Sequence, residues 1–76
     1  KKGILVKISE DLYFHAACLD LARQAVVKYL QERGEITVGE ARDLLQTSRK
    51  YALPLLEYFD RERITRRIGD KRVLRA

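Results

Sequence analysis

The sequence predicts an α+β domain of three helices and two β-hairpins, and three patterns carry this prediction. Apolar residues recur at helical spacing in three segments, short runs of β-branched and aromatic residues flank these segments, and turn-forming residues separate the pieces. The chain has 76 residues, enough for one small domain with a modest core. A two-lobed enzyme with a cleft between its lobes is therefore excluded.

The first predicted elements are a hairpin and a long helix. Two extended runs, Ile4 to Ile8 and Leu12 to His15, are separated by Ser9-Glu10-Asp11, an arrangement typical of a β-hairpin. From Ala17 to Arg33, apolar residues fall at intervals of three and four, as on one face of a helix. Gly34 follows and is expected to cap the C-terminus of this helix.

The middle of the chain predicts two shorter helices joined by a tight turn. Thr37 and Glu40 have the spacing of a capping box, which opens the second helix. Gln46-Thr47 forms the turn, and Ser48 is expected to cap a third helix from Arg49 to about Glu62. Pro54 lies inside that helix and removes one backbone donor, so we expect a local kink or a loosened first turn.

The last predicted element is a second hairpin. Ile64 to Ile68 and Arg72 to Arg75 flank Gly69-Asp70-Lys71, which is typical of a turn. Helix, short extended stretch, helix, turn, helix and hairpin is the order of elements in a winged helix-turn-helix, where the hairpin is called the wing. Residues 16–76 are therefore predicted to adopt this fold.

The first hairpin resembles the second in sequence. A shift of 60 residues places Ile4 on Ile64 and Lys7 on Arg67. Because this is about the length of one winged-helix unit, residues 1–15 are predicted to be the wing of a preceding winged-helix module. The parent protein would then contain a tandem array, and since the chain begins with Lys1 rather than Met, we expect it to be a fragment.

The positive charge is concentrated near the C-terminus. The net charge is +5, yet residues 1–47 contain seven basic and seven acidic residues, whereas residues 48–76 contain nine basic and four acidic ones. This concentration favours a polyanionic partner, because Lys and Arg that neutralise phosphates release condensed counterions. A basic face that only serves solubility is the alternative.

Catalytic, metal-binding and membrane-spanning functions find little support. The single cysteine, Cys18, and the single histidine, His15, are too few for a disulfide or a structural zinc site. Cys18 has apolar neighbours and is expected to be a small buried residue rather than an activated thiolate. No apolar run approaches the ~20 residues that span a bilayer. We expect a soluble, intracellular domain without enzymatic activity.

Two groups of residues are candidates for binding a polyanion. Ser48, Arg49, Lys50 and Tyr51 occupy the first turn of the third helix, where unpaired backbone amides and the helix dipole favour an anion. Tyr51 either stacks on an unpaired base or packs in the core. The second group surrounds the tip of the second hairpin and comprises Arg66, Arg67, Gly69, Lys71 and Arg72. Strand alternation places the first two on opposite faces, so at most one of them lies directly beneath a given ligand.

Two long motifs are similar to a known family. Thr47 to Asp60 (TSRKYALPLLEYFD) and Thr65 to Val73 (TRRIGDKRV) resemble the C-terminal end of bacterial selenocysteine-specific elongation factors, and Gly3 to Ile8 with Leu12 to His15 resemble the same family upstream. The resemblance covers essentially the whole chain. It implies the fourth and last winged helix of such a factor, preceded by the end of the third.

The resemblance also implies a function. Factors of this family are GTPases similar to elongation factor Tu that deliver selenocysteyl-tRNA to the ribosome, and their last winged helix binds the mRNA hairpin that recodes UGA. GTP and Mg²⁺ would bind the GTPase part, so these 76 residues are expected to hold no cofactor and to act as a monomeric, cytoplasmic binding domain. The RNA would lie against the residues from Ser48 to Tyr51 and from Arg66 to Arg72.

The expected binding mode follows from RNA geometry. The major groove of an A-form stem is too deep and narrow for a helix, so we expect contacts to loop or bulged bases and to neighbouring phosphates. Arg49 or Lys50 would contact an extruded base, while Arg67, Lys71 and Arg72 would hold phosphates. Two alternatives stay open: a winged helix that binds double-stranded DNA, which is the commoner use of this fold, and a protein-interaction module with an incidental basic face.

Overall fold

A computed structural model describes residues 4–75 and confirms the α+β winged helix-turn-helix. The elements in chain order are β1 (Leu5–Ser9), β2 (Leu12–His15), α1 (Ala16–Arg33), β3 (Ile36–Thr37), α2 (Val38–Leu44), α3 (Arg49–Arg61), β4 (Thr65–Ile68) and β5 (Lys71–Leu74). The predicted ends of the long helices and of both hairpins lie within one residue of these bounds. Residues 1–3 and 76 of the predicted ranges 1–15 and 16–76 lie outside the described residues.

The second helix begins as its local chemistry predicts. The Glu40 N–H donates to Thr37 Oγ1 at 3.1 Å, and the Thr37 N–H donates to Glu40 Oε1 at 2.9 Å. These two bonds satisfy amides that the helix itself leaves unpaired, and they confirm the capping box of α2. In α3, the N–H groups of Tyr51 and Ala52 donate to the Ser48 carbonyl at 3.0 and 2.9 Å, so the first turn is not loosened, and the helix continues through Pro54.

Each helix is followed by a residue in the left-handed conformation. After α1 this residue is the predicted glycine, Gly34, with φ 89°. After α2 and α3 it is Gln46 and Arg63, with φ 53° and 64°. The Ile64 N–H donates to the Phe59 carbonyl at 3.0 Å, and the Arg63 N–H donates to the Asp60 carbonyl at 3.1 Å. This is the bond pair of a Schellman motif, and it turns the chain sharply from α3 into β4.

The strands form two antiparallel sheets. β1 pairs with β2 alone, whereas β3, β5 and β4 form a three-stranded sheet with β5 at its centre. The wing consists of β4, β5 and the two-residue turn Gly69-Asp70 between them. Gly69 has φ 61°, as the first turn residue of a type II′ hairpin requires.

One hydrophobic core joins the first hairpin to the helices. Its most deeply buried members come from β1, β3 and all three helices: Ile8, Val26, Ile36, Ala41, Ala52, Leu55, Leu56 and Phe59. Ile8 is 1% exposed, and Arg61 Nη2 donates to the Ile8 carbonyl at 2.8 Å. The first hairpin therefore packs on this winged helix, while its assignment to a preceding module stays a prediction.

Candidate nucleic-acid interface

The start of α3 and the wing border the same groove, which we call the α3–wing groove. It has a volume of about 460 Å³ and lies between the start of α2, one face of α3 and the wing. Arg49 lines it from the first turn of α3, and Arg67 lines it from β4. Both residues are exposed. Arg49 of the first predicted binding group and Arg67 and Arg72 of the second thus border the same groove.

Two further residues of α3 line this groove and were not predicted as site residues. Leu53 and Glu57 follow Arg49 at intervals of four, so all three lie on one face of the helix. This spacing was visible in the sequence, and it would have identified both residues. The carboxylates of Glu57 and Asp70 also line the groove, so its charge is mixed rather than uniformly positive.

The other residues at the start of α3 lie nearer the first hairpin. A separate hollow of about 330 Å³ is lined by Lys50, Tyr51 and Pro54 of α3 and by residues at the tip of the first hairpin, Ser9, Asp11 and Leu12. Tyr51 is 37% exposed and lies outside the core, so of its two predicted roles the core contact is not observed. Lys50 Nζ lies 5.6 Å from the centroid of the Tyr51 ring, within cation–π range.

Ser48 precedes α3 as predicted but does not cap it through its side chain. Its backbone is extended, with φ −104° and ψ 163°, as an N-cap residue requires. The hydroxyl nevertheless forms no capping hydrogen bond, and the residue is exposed. The predicted N-cap position is confirmed and the capping bond of the hydroxyl is not formed, while the other role considered for it, a contact to phosphate, stays a prediction.

The wing presents its two neighbouring arginines on opposite faces, as predicted. Arg67 pairs with Arg72 across the strands, while Arg66 pairs with Val73. Arg67 Nε donates to the Gly69 carbonyl at 2.9 Å, which holds this guanidinium beside the wing tip. A Cβ at Gly69 would meet no atom within 4 Å, so this glycine is required for its positive φ and not for close approach of a neighbour.

Lys71 is paired within the protein. Its Nζ lies 2.8 Å from Glu35 Oε2, and both side chains are about half exposed. The hydrogen bond to Glu35 and the charge of that carboxylate raise the pKa of Lys71 above its ordinary value. Thr37 of β3 pairs with Lys71 of β5, and Glu35 lies two residues before Thr37. Glu35 therefore lies on the same side of the sheet as Lys71, within reach of its side chain. A phosphate at Lys71 would therefore compete with Glu35.

Arg72, which was expected to hold a phosphate, lies in the interior. The residue is 1% exposed. Its Nε donates to Asp60 Oδ2 at 3.1 Å, and Asp60 Oδ1 accepts a hydrogen bond from Thr65 Oγ1 at 2.5 Å. The reason is topological: β5 is the central strand, so Arg72 is flanked by β3 and β4 and faces the helices.

The two residues considered for chemistry, His15 and Cys18, are both exposed. Cys18 is exposed on α1, which corrects the prediction of a buried residue, because the neighbouring Leu19 takes the inward position. His15 is exposed at the end of β2. Within residues 4–75, no three His, Cys, Asp or Glu side chains are grouped as a metal site. In the same range, no helix combines the length and apolar character needed to cross a membrane.

Comparisons with known proteins give consistent results. A family model described as the winged helix of elongation factor SelB matches residues 28–74. Selenocysteine-specific elongation factors from Desulfomicrobium baculatum and Haemophilus influenzae are 40% and 36% identical over 75 residues. The matched segment is 99% of this chain but only 12% of each relative, so the chain spans about an eighth of their length.

A solved structure is similar over nearly the whole chain. It is the mRNA-binding domain of elongation factor SelB from E. coli in complex with SECIS RNA. The TM-score is 0.87 at 35% identity, and the similarity covers 99% of this chain and 62% of the other. The matching family model is named for the third winged helix of the factor, so the position of this domain as the fourth stays a prediction.

Proposed function

Because the chain belongs to the winged-helix family of elongation factor SelB, we propose that it binds an mRNA stem-loop, the selenocysteine insertion element. The similar domain from E. coli was solved with SECIS RNA. The observation that carries the proposal is the α3–wing groove, which Arg49 and Arg67 line from two different elements. The excess of basic residues after residue 47 supports a polyanion at this place.

The geometry supports contacts on two sides of the start of α3. On the groove side, Arg49 and Arg67 would bind phosphates or a base edge. On the opposite side, the hollow beside Tyr51 offers a ring on which an unpaired base would stack. An RNA loop with one extruded base fits this arrangement, whereas an intact A-form stem would present its bases to neither side.

The parent protein is proposed to be a selenocysteine-specific elongation factor. This rests on relatives of that name that match 99% of this chain. GTP hydrolysis, delivery of selenocysteyl-tRNA to the ribosome and a cytoplasmic location would be properties of that whole factor. The 76 residues would contribute RNA recognition and no catalysis.

The first hairpin is proposed to be the wing of a preceding winged helix. Under the shift of 60 residues, Leu5 corresponds to Thr65, which is 1% exposed on the face of the wing that packs against the helices. Leu5 is 56% exposed, and it shares its face with Lys7 and with Tyr13, which is 54% exposed. The helices of a preceding module would cover this face in the same way. A longer segment of the parent should then protect the backbone amides of residues 5–15 more strongly against hydrogen exchange.

A binding titration tests the proposed ligand. The domain is titrated with a SECIS-type RNA hairpin, with a hairpin of the same stem and a scrambled loop, and with duplex DNA of matched length, all at the same salt concentration. The hairpin with the intact loop should bind most tightly, and its affinity should fall steeply with salt. Tighter binding to duplex DNA would overturn the proposal in favour of a DNA-binding winged helix. Affinity for a protein partner that is insensitive to salt would favour the interaction module.

A set of charge-matched variants tests the site. Arg49→Ala should cost about 1–3 kcal/mol of binding free energy if the side chain contacts a base, and it should relax the preference for the intact loop. Lys28→Ala removes the same charge from an exposed position on α1 and is the control. Equal losses in the two variants would show that only net charge matters and would reject the groove as the binding site.

A further inference from the structure

The wing contacts the end of α3 through three polar side chains, the buried Thr65 and Arg72 and the partly buried Asp60, here called the Asp60 cluster. We propose that the Asp60 cluster fixes the position of the wing relative to α3, and that RNA affinity depends on it without any of the three side chains touching RNA. The inference rests on the proposed RNA-binding function. It assigns positioning residues, one of which was predicted as a direct ligand.

The two carboxylate oxygens of Asp60 are divided between the two strands of the wing. Oδ1 accepts from Thr65 Oγ1 in β4 at 2.5 Å, and Oδ2 accepts from Arg72 Nε in β5 at 3.1 Å. Asp60 itself lies in the last turn of α3. One side chain of the helix therefore restrains both strands of the hairpin, which a contact to a single strand would not achieve.

Stability alone is a poor explanation for this cluster. Arg72 and Thr65 are each 1% exposed, and the Asp60 side chain is 23% exposed. Removing a guanidinium from water is costly, and well-packed apolar side chains of similar volume often stabilise a fold equally well or better. A buried ion pair differs from such packing in its directionality, since its hydrogen bonds are satisfied in only one relative orientation of the partners. The cluster is therefore suited to fixing the angle between the wing and α3.

The cluster lies next to the predicted RNA contacts. Arg72 pairs directly with Arg67 across the two strands, and both residues line the α3–wing groove. Asp60 is three residues beyond Glu57, which lines the groove from the helix. A shift of the wing at Arg72 would therefore move Arg67 away from Arg49, and the two arginines would no longer fit the same RNA backbone.

The sign of one substitution separates positioning from direct binding. Arg72 Nη2 is buried and forms no hydrogen bond among the described residues. If Arg72 were a phosphate ligand, Asp60→Asn would release its guanidinium and remove a repulsive charge, and RNA would bind more tightly. If the cluster positions the wing, the same substitution removes one acceptor and weakens binding although the domain becomes more positive.

The experiment compares Asp60→Asn with Glu57→Gln, two variants of α3 that each lose one negative charge. Affinity for the RNA hairpin is measured over a range of salt concentrations, well below the unfolding temperature of each variant. Glu57→Gln should bind more tightly because repulsion decreases. Asp60→Asn should bind about five- to tenfold more weakly, and its salt dependence should be less steep by about one phosphate contact.

A second pair of variants covers the case in which Asp60→Asn is poorly folded. Thr65→Val keeps the shape of the side chain but removes the hydroxyl, whereas Thr65→Ser keeps the hydroxyl. Weaker binding by the valine variant and near-normal binding by the serine variant are expected. Tighter binding by Asp60→Asn, or unchanged affinity and salt dependence in folded Thr65→Val, would overturn the inference. Failure of the unsubstituted domain to bind any RNA hairpin would reject the proposed function itself.

Discussion

The two hairpins of this molecule share a sequence pattern and a turn length but differ in charge and packing. Each has a two-residue turn, Glu10-Asp11 in the first and Gly69-Asp70 in the wing. Residues 4–15 contain one Lys and two acidic residues, whereas residues 64–75 contain five basic residues and one acidic residue. The first hairpin packs through apolar Ile8, whereas in the wing apolar Leu74 is joined by the polar Asp60 cluster.

This difference shows that similarity between repeats does not extend to their roles. The first hairpin is buried mainly through a face of apolar side chains. The hydrophobic effect that drives this burial is non-directional, so it does not fix the angle between the hairpin and the helices. In the wing, Leu74 also packs against the core, but the two fully buried residues Thr65 and Arg72 are held by directional hydrogen bonds, and basic residues occupy most of the exposed positions. The first hairpin is thus part of the core, whereas the wing combines buried polar contacts with exposed basic residues, as the proposed RNA site requires.

The largest effect should come from the core contact of the first hairpin. Ile8→Ala should lower the free energy of unfolding by about 2–5 kcal/mol, because it leaves a cavity at a position that is 1% exposed. Leu5→Ala on the exposed face of the same strand should change it by no more than about 0.5 kcal/mol. Urea denaturation measures both. Equal effects would contradict the packing of the first hairpin on this domain.

The wing should dominate RNA binding, and corresponding positions of the two hairpins test this. Arg67→Ala should weaken binding to all RNA hairpins and reduce the slope of log affinity against log salt by about 1. Lys7→Ala, at the corresponding position of the first hairpin, should leave both quantities nearly unchanged. Salt-dependent binding titrations distinguish the two variants. If Lys7→Ala had the larger effect, the first hairpin would be the binding element.

The smallest effect is expected at the ion pair between Lys71 of the wing and Glu35, which precedes β3. Glu35→Gln removes the competitor of a phosphate at Lys71, so affinity for RNA should rise about twofold. Glu35 raises the pKa of Lys71 above the ordinary lysine value of 10.5. The ion pair therefore stabilises the fold fully below pH 10.5, and this stabilisation is lost as the pH rises through the raised pKa. The stability advantage of the natural protein over the variant should therefore disappear in strongly alkaline solution. A constant difference across that pH range would exclude the ion pair as its source.

The sequence predicts most of the fold because most of its signals are local. The capping box of Thr37 and Glu40, the glycine after α1 and the turn at Gly69 each depend on residues within four positions of one another. Short-range chemistry of this kind fixes where an element begins and ends. The order of the elements then leaves few topologies, and the winged helix is among them.

The candidate site was predicted less completely because it depends on contacts between distant residues. Arg72 is buried because β3 joins the far side of β5 and because Asp60 accepts its hydrogen bond, and neither fact follows from the residues around Arg72. Cys18 was misplaced because α1 carries apolar residues on more than one face: Leu21 is 66% exposed. When a helix has apolar residues on more than one face, tertiary packing and not the sequence pattern decides which face turns towards the core.

Arg63 offers a way to raise the stability of the domain at the corner between α3 and the wing. With φ 64° it occupies the left-handed corner after α3, which costs an L-residue other than glycine about 1–2 kcal/mol. Glycine would avoid most of that cost, although it would lose part of the gain through the greater freedom of the unfolded chain. The corner lies at the opposite end of α3 from Arg49, about 20 Å away at 1.5 Å per residue. Glycine there should therefore raise thermal tolerance. The corner does, however, adjoin the Asp60 cluster, so any change in RNA affinity would arise from the position of the wing and not from contact with Arg49.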